Sequence, residues 1–408
     1  MDNLSSKYNA HIIGSQGPIT GEHNRIYQYF QVPQHAPLAS KHIGFLPLIA
    51  DKTEGFVGRQ FVFDALDSFL HQKKSGYFVI LGEPGIGKTA LLAQLVKTRG
   101  YPHHFNVAPQ NIRSPRQFLA NACAQIIARY DLRHDTIPED ATGDSNFLLQ
   151  CLQEAAAKPK NRPVVLVVDA LDEAERLGLP ARVNALYLPP TLPEGAYIVV
   201  TSRPLDDLKI QVSVQQSLFL EPDSKGNLLD IRTYIQNYLE TSEKLRARLS
   251  AWNTTHASFV KGLARKSEGN FIYLRYVLPA IAEGKFMDGA LDELPQGLAA
   301  YYRGHWNQMQ IAEPQTFDDL YAPVVCMLAV VREPVTVAQL HRWTGKDRAH
   351  IRRAIARWRE FLEEGDSIAE RKYRVYHTSF QDFLGEMVDL KRFDEIIARY
   401  YLGILGME

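Results

Sequence analysis

Cysteine is scarce in this chain. The three present in 408 residues (Cys123, Cys151 and Cys326) lie far apart and form no C-x-x-C pair. A disulfide framework and a zinc-ribbon pattern are thereby excluded, and a reducing compartment is expected. Charge of one sign is not in excess: 46 Lys and Arg balance 46 Asp and Glu. No global field therefore draws the molecule toward nucleic acid or an anionic membrane, and any basic patch is local. No apolar run approaches the roughly 18 residues of a membrane span. The N-terminus, Met-Asp-Asn-Leu-Ser-Ser, has no basic segment leading into an apolar one. Neither secretion nor membrane contact is expected, and the location read from these features is cytoplasmic. Internal repeats and low-complexity tracts are also missing.

What is present is the composition of a globular protein, 45% apolar and 23% charged, long enough for two to four domains. Residues 1–50 are punctuated by Gly14, Gly17, Pro18, Gly21, Asn24, Pro33 and Pro37. They read as a lead segment, either small strands or a semi-ordered leader. Residues 51–222 alternate strands and helices. The runs Tyr77–Leu81, Pro163–Asp169 and Ala196–Thr201 are rich in Val and Ile and do not alternate with polar residues, as in parallel strands buried on both faces. Weaker strands are expected at His103–Ala108 and Ser217–Leu220, with helices at Ala90–Lys97, Pro115–Tyr130 and Ser145–Ala157. This is an α/β pattern, a doubly wound parallel sheet with ligand at its carboxyl edge. Residues 223–313 read as a helical domain (Leu228–Leu239, Leu245–Ala251, Ser258–Lys266, Ile272–Ile281). Residues 314–390 read as helices Phe317–Val331, Val337–Thr344 and Lys346–Glu364 followed by strand Arg371–His377, the order of a winged helix. Residues 391–408 form a helical tail.

Chemistry concentrates at Gly82-Glu83-Pro84-Gly85-Ile86-Gly87-Lys88-Thr89, a G-x-x-x-x-G-K-T between a strand and a helix. Glycines let the backbone curl so that N–H groups converge, and the helix N-terminus adds partial positive charge, together a cradle for phosphates. Lys88 would neutralise the β- and γ-phosphates and Thr89 would give its hydroxyl to Mg²⁺. Ala90 follows within the same cradle. A second signal is Val164-Val165-Leu166-Val167-Val168-Asp169-Ala170-Leu171-Asp172-Glu173. Alone, an acid after a buried strand reads as a helix cap. Downstream of a phosphate loop, Asp169 reads as the partner of Thr89 in holding Mg²⁺, and Asp172 or Glu173 as the group that polarises a water. Third, Thr201-Ser202-Arg203 closes another strand, placing Arg203 either at the γ-phosphate or in a surface loop.

These three blocks, in this order, resemble the STAND class of signalling NTPases, nearest to its NACHT-type members, over roughly residues 51 to 390. The resemblance implies ATP or ADP with Mg²⁺ as ligands. It places Phe56-Val57-Gly58-Arg59 against the adenine, so that Val57 and Arg59 join Gly82, Pro84, Gly85, Ile86, Gly87, Lys88, Thr89 and Ala90 as nucleotide-binding residues. It assigns Lys88, Asp172, Glu173 and Arg203 to catalysis. Tyr376-His377-Thr378-Ser379-Phe380 resembles the end of the family's winged helix, which implies that His377 reaches the β-phosphate of ADP and holds a closed state. Two departures stand out. Gly269-Asn270-Phe271 has an aromatic where related proteins carry an adenine-facing Pro, and the sequence shows neither the effector domain nor the repeat sensor that such proteins usually carry. Partners implied are an effector or sensor protein and a second copy of the chain in the ATP state.

Three functions follow, from different classes: an ADP-closed, ATP-open signalling switch with slow hydrolysis as its reset, a hydrolytic motor of the AAA+ type, and an ATP-dependent transcription regulator. The spaced Asp169 and Asp172, in place of an adjacent Asp-Glu pair, weigh against the motor. The regulator rests on Arg348, Arg352, Arg353, Arg357 and Arg359 of the third-domain helix. Ile351, Ile355, Trp358 and Leu362 share that helix's buried face, so its arginines lie where solvent or acidic partners meet them, and zero net charge weighs against DNA.

Overall fold

In a computed structural model, which describes residues 38, 41–107, 110–175, 185–204, 212, 214–286, 291–365 and 370–404, the apolar runs pair as expected. The first half contains α1 (Leu46–Thr53), α2 (Gln60–Gln72), β1 (Gly76–Gly82), α3 (Lys88–Arg99), β2 (His103–Phe105), α4 (Pro115–Tyr130), α5 (Asn146–Ala157), β3 (Val164–Asp169), β4 (Ala196–Ser202) and β5 (Gln215–Leu220). All five strands are parallel, in the order β2-β3-β4-β1-β5. Successive side chains of a strand point to opposite faces, and here both faces are covered. Tyr77, Val79, Leu166, Val168, Ile198 and Val200 pack with α4 and α5. Phe78, Ile80, Val165, Val167, Tyr197 and Val199 pack with α1, α2 and α3. Each fully buried Val or Ile contributes about 1.5–3 kcal/mol, which is why these runs have no polar alternation. Ser114 and Gln117 form a capping box that starts α4, with Pro115 in its first turn.

The second half contains α6 (Lys225–Thr241), α7 (Glu243–Ala251), α8 (His256–Lys266), α9 (Phe271–Ala282), α10 (Gly297–Ala312), a π turn at Phe317–Tyr321 leading into α11 (Ala322–Val330), β6 (Val335–Thr336), α12 (Val337–Thr344), α13 (Arg348–Trp358), β7 (Leu362–Gly365), β8 (Lys372–Val375), α14 (Thr378–Met387) and α15 (Lys391–Ile404). Strands β6, β8 and β7 form a small antiparallel sheet in that order. One apolar core runs from Ile231 on α6 to Phe393 on α15, with Tyr301, Trp306, Trp358, Phe361 and Phe380 at its aromatic centre.

Several elements differ from the sequence reading. The helix expected to reach Glu364 stops at Trp358, and Leu362–Gly365 becomes a strand because its backbone pairs with Lys372–Val375. The strand expected at Arg371–His377 shortens to β8, and His377 becomes the N-cap of α14. The helix expected from Phe317 opens as a π turn, since Pro323 has no N–H to continue a regular ladder. The strand expected at His103–Ala108 ends at Phe105 and gives way to a bridge between Val107 and Ile112. Helices α1, α2 and α10 are not anticipated, and α1 crosses residue 50. The strands considered within residues 1–37 lie outside the described residues. No helix among the described residues is long and apolar enough to cross a membrane.

Candidate functional site

The phosphate loop joins β1 to α3. Gly85 (φ +83) and Gly87 (φ +96) adopt the left-handed conformation that the curl requires, and α3 starts at Lys88 directly from Gly87. Lys88 Nζ donates to the carbonyls of Gly82 (2.6 Å) and Glu83 (3.0 Å). Burial lowers the pKa of Lys88, while Asp172 and Asp169 oppose that shift. Arg59, in left-handed conformation (φ +64) at the start of α2, is almost fully buried and reaches the same loop, Nη2 donating to the carbonyl of Ile86. Its backbone N–H donates to Asp230 Oδ2 at 3.0 Å and its guanidinium lies 5.0 Å over the Phe271 ring. Gly58 before it has no room for a side chain: a Cβ would sit 1.9 Å from Asp230 Oδ1. Burial draws the Arg59 pKa down to about 10.

Strand order brings the acids to the loop. β4, which carries Arg203 at its end, runs between β1 and β3. Asp169 is buried and accepts a hydrogen bond from Thr201 Oγ1, with the Thr89 side chain close by. Burial raises its pKa, with Thr201, Thr89 and Lys88 opposing. Asp172 accepts from the backbone N–H of Arg203 at 3.1 Å and pairs with Arg203 Nε at 3.1 Å. The same guanidinium then leaves the α/β domain. Nη1 lies 2.8 Å from Asp382 Oδ2 and Nη2 2.9 Å from Thr378 Oγ1, both on α14.

The C-terminal block supplies the opposite wall. His377 Nδ1 accepts from the Ser379 N–H at 3.1 Å and meets Ser379 Oγ at 2.8 Å, so the neutral ring carries its proton on Nε2. Its ring lies deep in the protein yet open to the cavity, and burial, reinforced by Lys52, Lys88, Arg203 and Arg275, lowers its pKa to about 3. The neighbouring Tyr376 ring takes two cations, Lys52 Nζ at 4.3 Å and the Arg275 guanidinium at 4.4 Å, and its hydroxyl accepts from Lys52 at 2.8 Å.

Between these walls lies a cavity of about 1070 Å³ including its open mouth. Val57, Arg59, Pro84, Gly85, Gly87, Lys88, Thr89, Ala90, Asp169, Asp172, Glu173, Arg203 and His377 all line it; Gly82 and Ile86 shape the loop behind it. The donor set fits a polyphosphate with a hard cation: Lys88, the Nε2–H of His377, and Arg59, whose Nη1 is buried with no hydrogen-bond partner, line the same cavity as Thr89 and Asp169. Phe271 lines the cavity while packing against the C-terminal core, and Tyr273 and Tyr276 behind it are buried. Asp51, Lys52, Tyr234, Arg275, Tyr376 and Thr378 also line it without having been singled out. The available signals were slight: Arg275 is one helical turn from Phe271, and Tyr376 precedes His377. None of the α13 arginines lines this cavity. Arg353 and Arg357 both pair with Glu313, the latter at 2.6 Å, and Arg359 pairs with Glu364 at 3.0 Å.

Residues 55–199 match the AAA ATPase domain family. No curated protein matches the chain. Among solved structures, the STAND protein with a tetratricopeptide repeat sensor from Pyrococcus horikoshii aligns over 86% of this chain at 16% identity and a TM-score of 0.44. The chain spans 46% of that protein's length. A RuvB variant of Thermotoga maritima aligns over 80% of this chain and 95% of its own at 12% identity, TM-score 0.31. Drosophila ORC bound to DNA aligns over 84% and 98% at 13% identity, TM-score 0.31.

Proposed function

We propose that this P-loop ATPase works as a nucleotide-dependent signalling switch of the STAND kind, NACHT-type, closed with ADP and open and self-associating with ATP. Residues 223–313 serve as its helical domain and 314–390 as a winged helix that closes over the nucleotide. The observation that carries this reading is the Arg203 guanidinium, shared between Asp172 beside the phosphate loop and Asp382 and Thr378 on α14. A γ-phosphate competes for the same guanidinium. ATP and ADP thus differ in what they leave for α14, and a ligand shifts an equilibrium only through contacts that differ between its states.

The chain's own groups have separate tasks. Lys88 binds the phosphates and the loop orients them. Thr89 and Asp169 would hold Mg²⁺, which neutralises phosphate charge when bound. His377 donates from Nε2 toward the phosphates and ties the C-terminal block to ADP. Asp172 or Glu173 polarises the attacking water. While Arg203 occupies Asp172, that carboxylate is not free to orient a water, consistent with slow hydrolysis serving as a reset.

Pairing of Arg353 and Arg357 with Glu313 speaks against DNA binding through α13. The test is the nucleotide that co-purifies with the chain and its turnover. Tightly held ADP with turnover well below one per minute is expected. Nucleotide-free protein turning over several ATP per second replaces the switch with a motor.

A further inference from the structure

Every carbonyl of the phosphate loop from Gly82 to Ile86 accepts a hydrogen bond. Lys88 takes those of Gly82 and Glu83, and Arg59 takes that of Ile86. The two between them are held by the start of α9: Asn270 Nδ2 donates to the Pro84 carbonyl at 3.0 Å, and the Phe271 N–H donates to the Gly85 carbonyl at 3.1 Å. In a trans peptide the N–H points opposite to the C=O, so fixing a carbonyl outward turns the next N–H the other way.

Asn270 is placed for this by its surroundings. Glu268 (φ +50) and Gly269 (φ +75) turn the chain in left-handed conformation, and a Cβ on Gly269 would lie 2.2 Å from the Pro222 carbonyl. The Asn270 amide then occupies the volume a side chain at Gly85 would need, 2.6 Å from an ideal Cβ there. Its Oδ1 accepts from the N–H groups of Ile272 (2.9 Å) and Tyr273 (3.2 Å), capping α9. With the oxygen facing two donors and the nitrogen facing a carbonyl, the amide has one satisfied orientation. Asn270 does not line the cavity. The second bond needs a residue other than Pro at position 271, since Pro has no N–H to give.

We infer that Asn270 is a positioning residue for phosphate binding. Through it, assisted by the Phe271 N–H, the N-terminus of α9 presets the loop before nucleotide arrives, which spares the ligand the ordering cost. The inference rests on nucleotide binding at the loop, and it is separable from it.

The experiment uses the full chain stripped of nucleotide, with Mg²⁺-ADP and AMP as probes. Asn270→Ser keeps a competent N-cap and loses the donor to Pro84. Its melting temperature is expected to match wild type. Its ADP affinity is expected to fall about tenfold, or ~1.4 kcal/mol, with AMP affinity changed less than twofold because AMP has no β-phosphate on the loop. Wild-type ADP affinity in this variant, or an equal fall for AMP, overturns the inference. Phe271→Pro compared with Phe271→Leu gives an independent reading, since Pro is tolerated at the first helical position and lacks the N–H that Leu keeps. Equal ADP affinities in that pair count against the clasp. Lys88→Ala run alongside keeps the readings apart: if it holds ADP normally, nucleotide binding at the loop itself fails.

Discussion

Arg203 and Asp382 lie 2.8 Å apart across the seam between the α/β domain and α14, although 179 residues separate them in sequence. The pair is partly exposed, Asp382 by about half (49%), so solvent screening limits it to about 0.5–1 kcal/mol. Asp382→Ala is therefore expected to speed ADP release by roughly two- to fivefold without changing the melting temperature of nucleotide-free protein appreciably. Stopped-flow release of a fluorescent ADP analogue measures it, and an unchanged rate removes Arg203 from the closing contact.

Lys88 and Thr89 separate by task. Lys88→Ala removes a half-buried charge at the phosphate loop and should weaken ADP by up to about a hundredfold, the range of a charge-assisted hydrogen bond. Thr89→Ala should spare ADP measured without Mg²⁺ and abolish the gain that Mg²⁺ brings. Isothermal titration with and without the metal distinguishes the two.

Three histidines make the protein acid-sensitive. Burial lowers His377 and His104 to about 3 and His103 to about 4. In the unfolded chain all three titrate near pH 6.5, so the unfolded state binds protons first as the pH falls. The stability from their neutral folded forms is complete above pH 6.5 and is lost toward pH 3–4, at about 1.4 kcal/mol per pH unit for each. Urea midpoints are expected to drop steadily below pH 6.5. His377→Asn, which keeps an acceptor for the Ser379 N–H, should show a shallower drop; an identical slope would contradict the burial argument for His377.

Tyr376 joins α1 and α9 to the C-terminal block through two cation–π contacts and one hydrogen bond. Tyr376→Phe keeps the ring and should cost about 1 kcal/mol, the worth of the bond from Lys52. Tyr376→Ala loses all three interactions and should cost about 2–3 kcal/mol in urea unfolding. Equal costs for the two would leave the cation–π contacts without weight.

How far the site could be read in advance depended on chain distance. The loop Gly82–Thr89 was legible because phosphate binding is built from contiguous backbone. Asp169 and Arg203 were legible because each ends an unmistakable buried strand. Asp51, Lys52 and Arg275 were not, since they come from α1, an unforeseen helix, and from a helix face whose exposure depends on what packs beside it. That Phe271 lines the cavity was hidden for the same reason: an aromatic at a helix start looks alike whether it faces a neighbour or a cavity. Residues 362–364 were misread as helix because local pattern there is overruled by a partner strand past residue 370.

The sequence alone determined the parallel sheet, the phosphate loop and the two strand-end residues, because burial on both strand faces and tight backbone curvature leave local chemical marks. Tertiary structure decided that Arg203 grips α14, that Asn270 clasps Pro84 and that Tyr376 is shared by two cations. Those pairings join residues more than 100 positions apart, and nothing within a single segment records which distant partner will satisfy its polar groups.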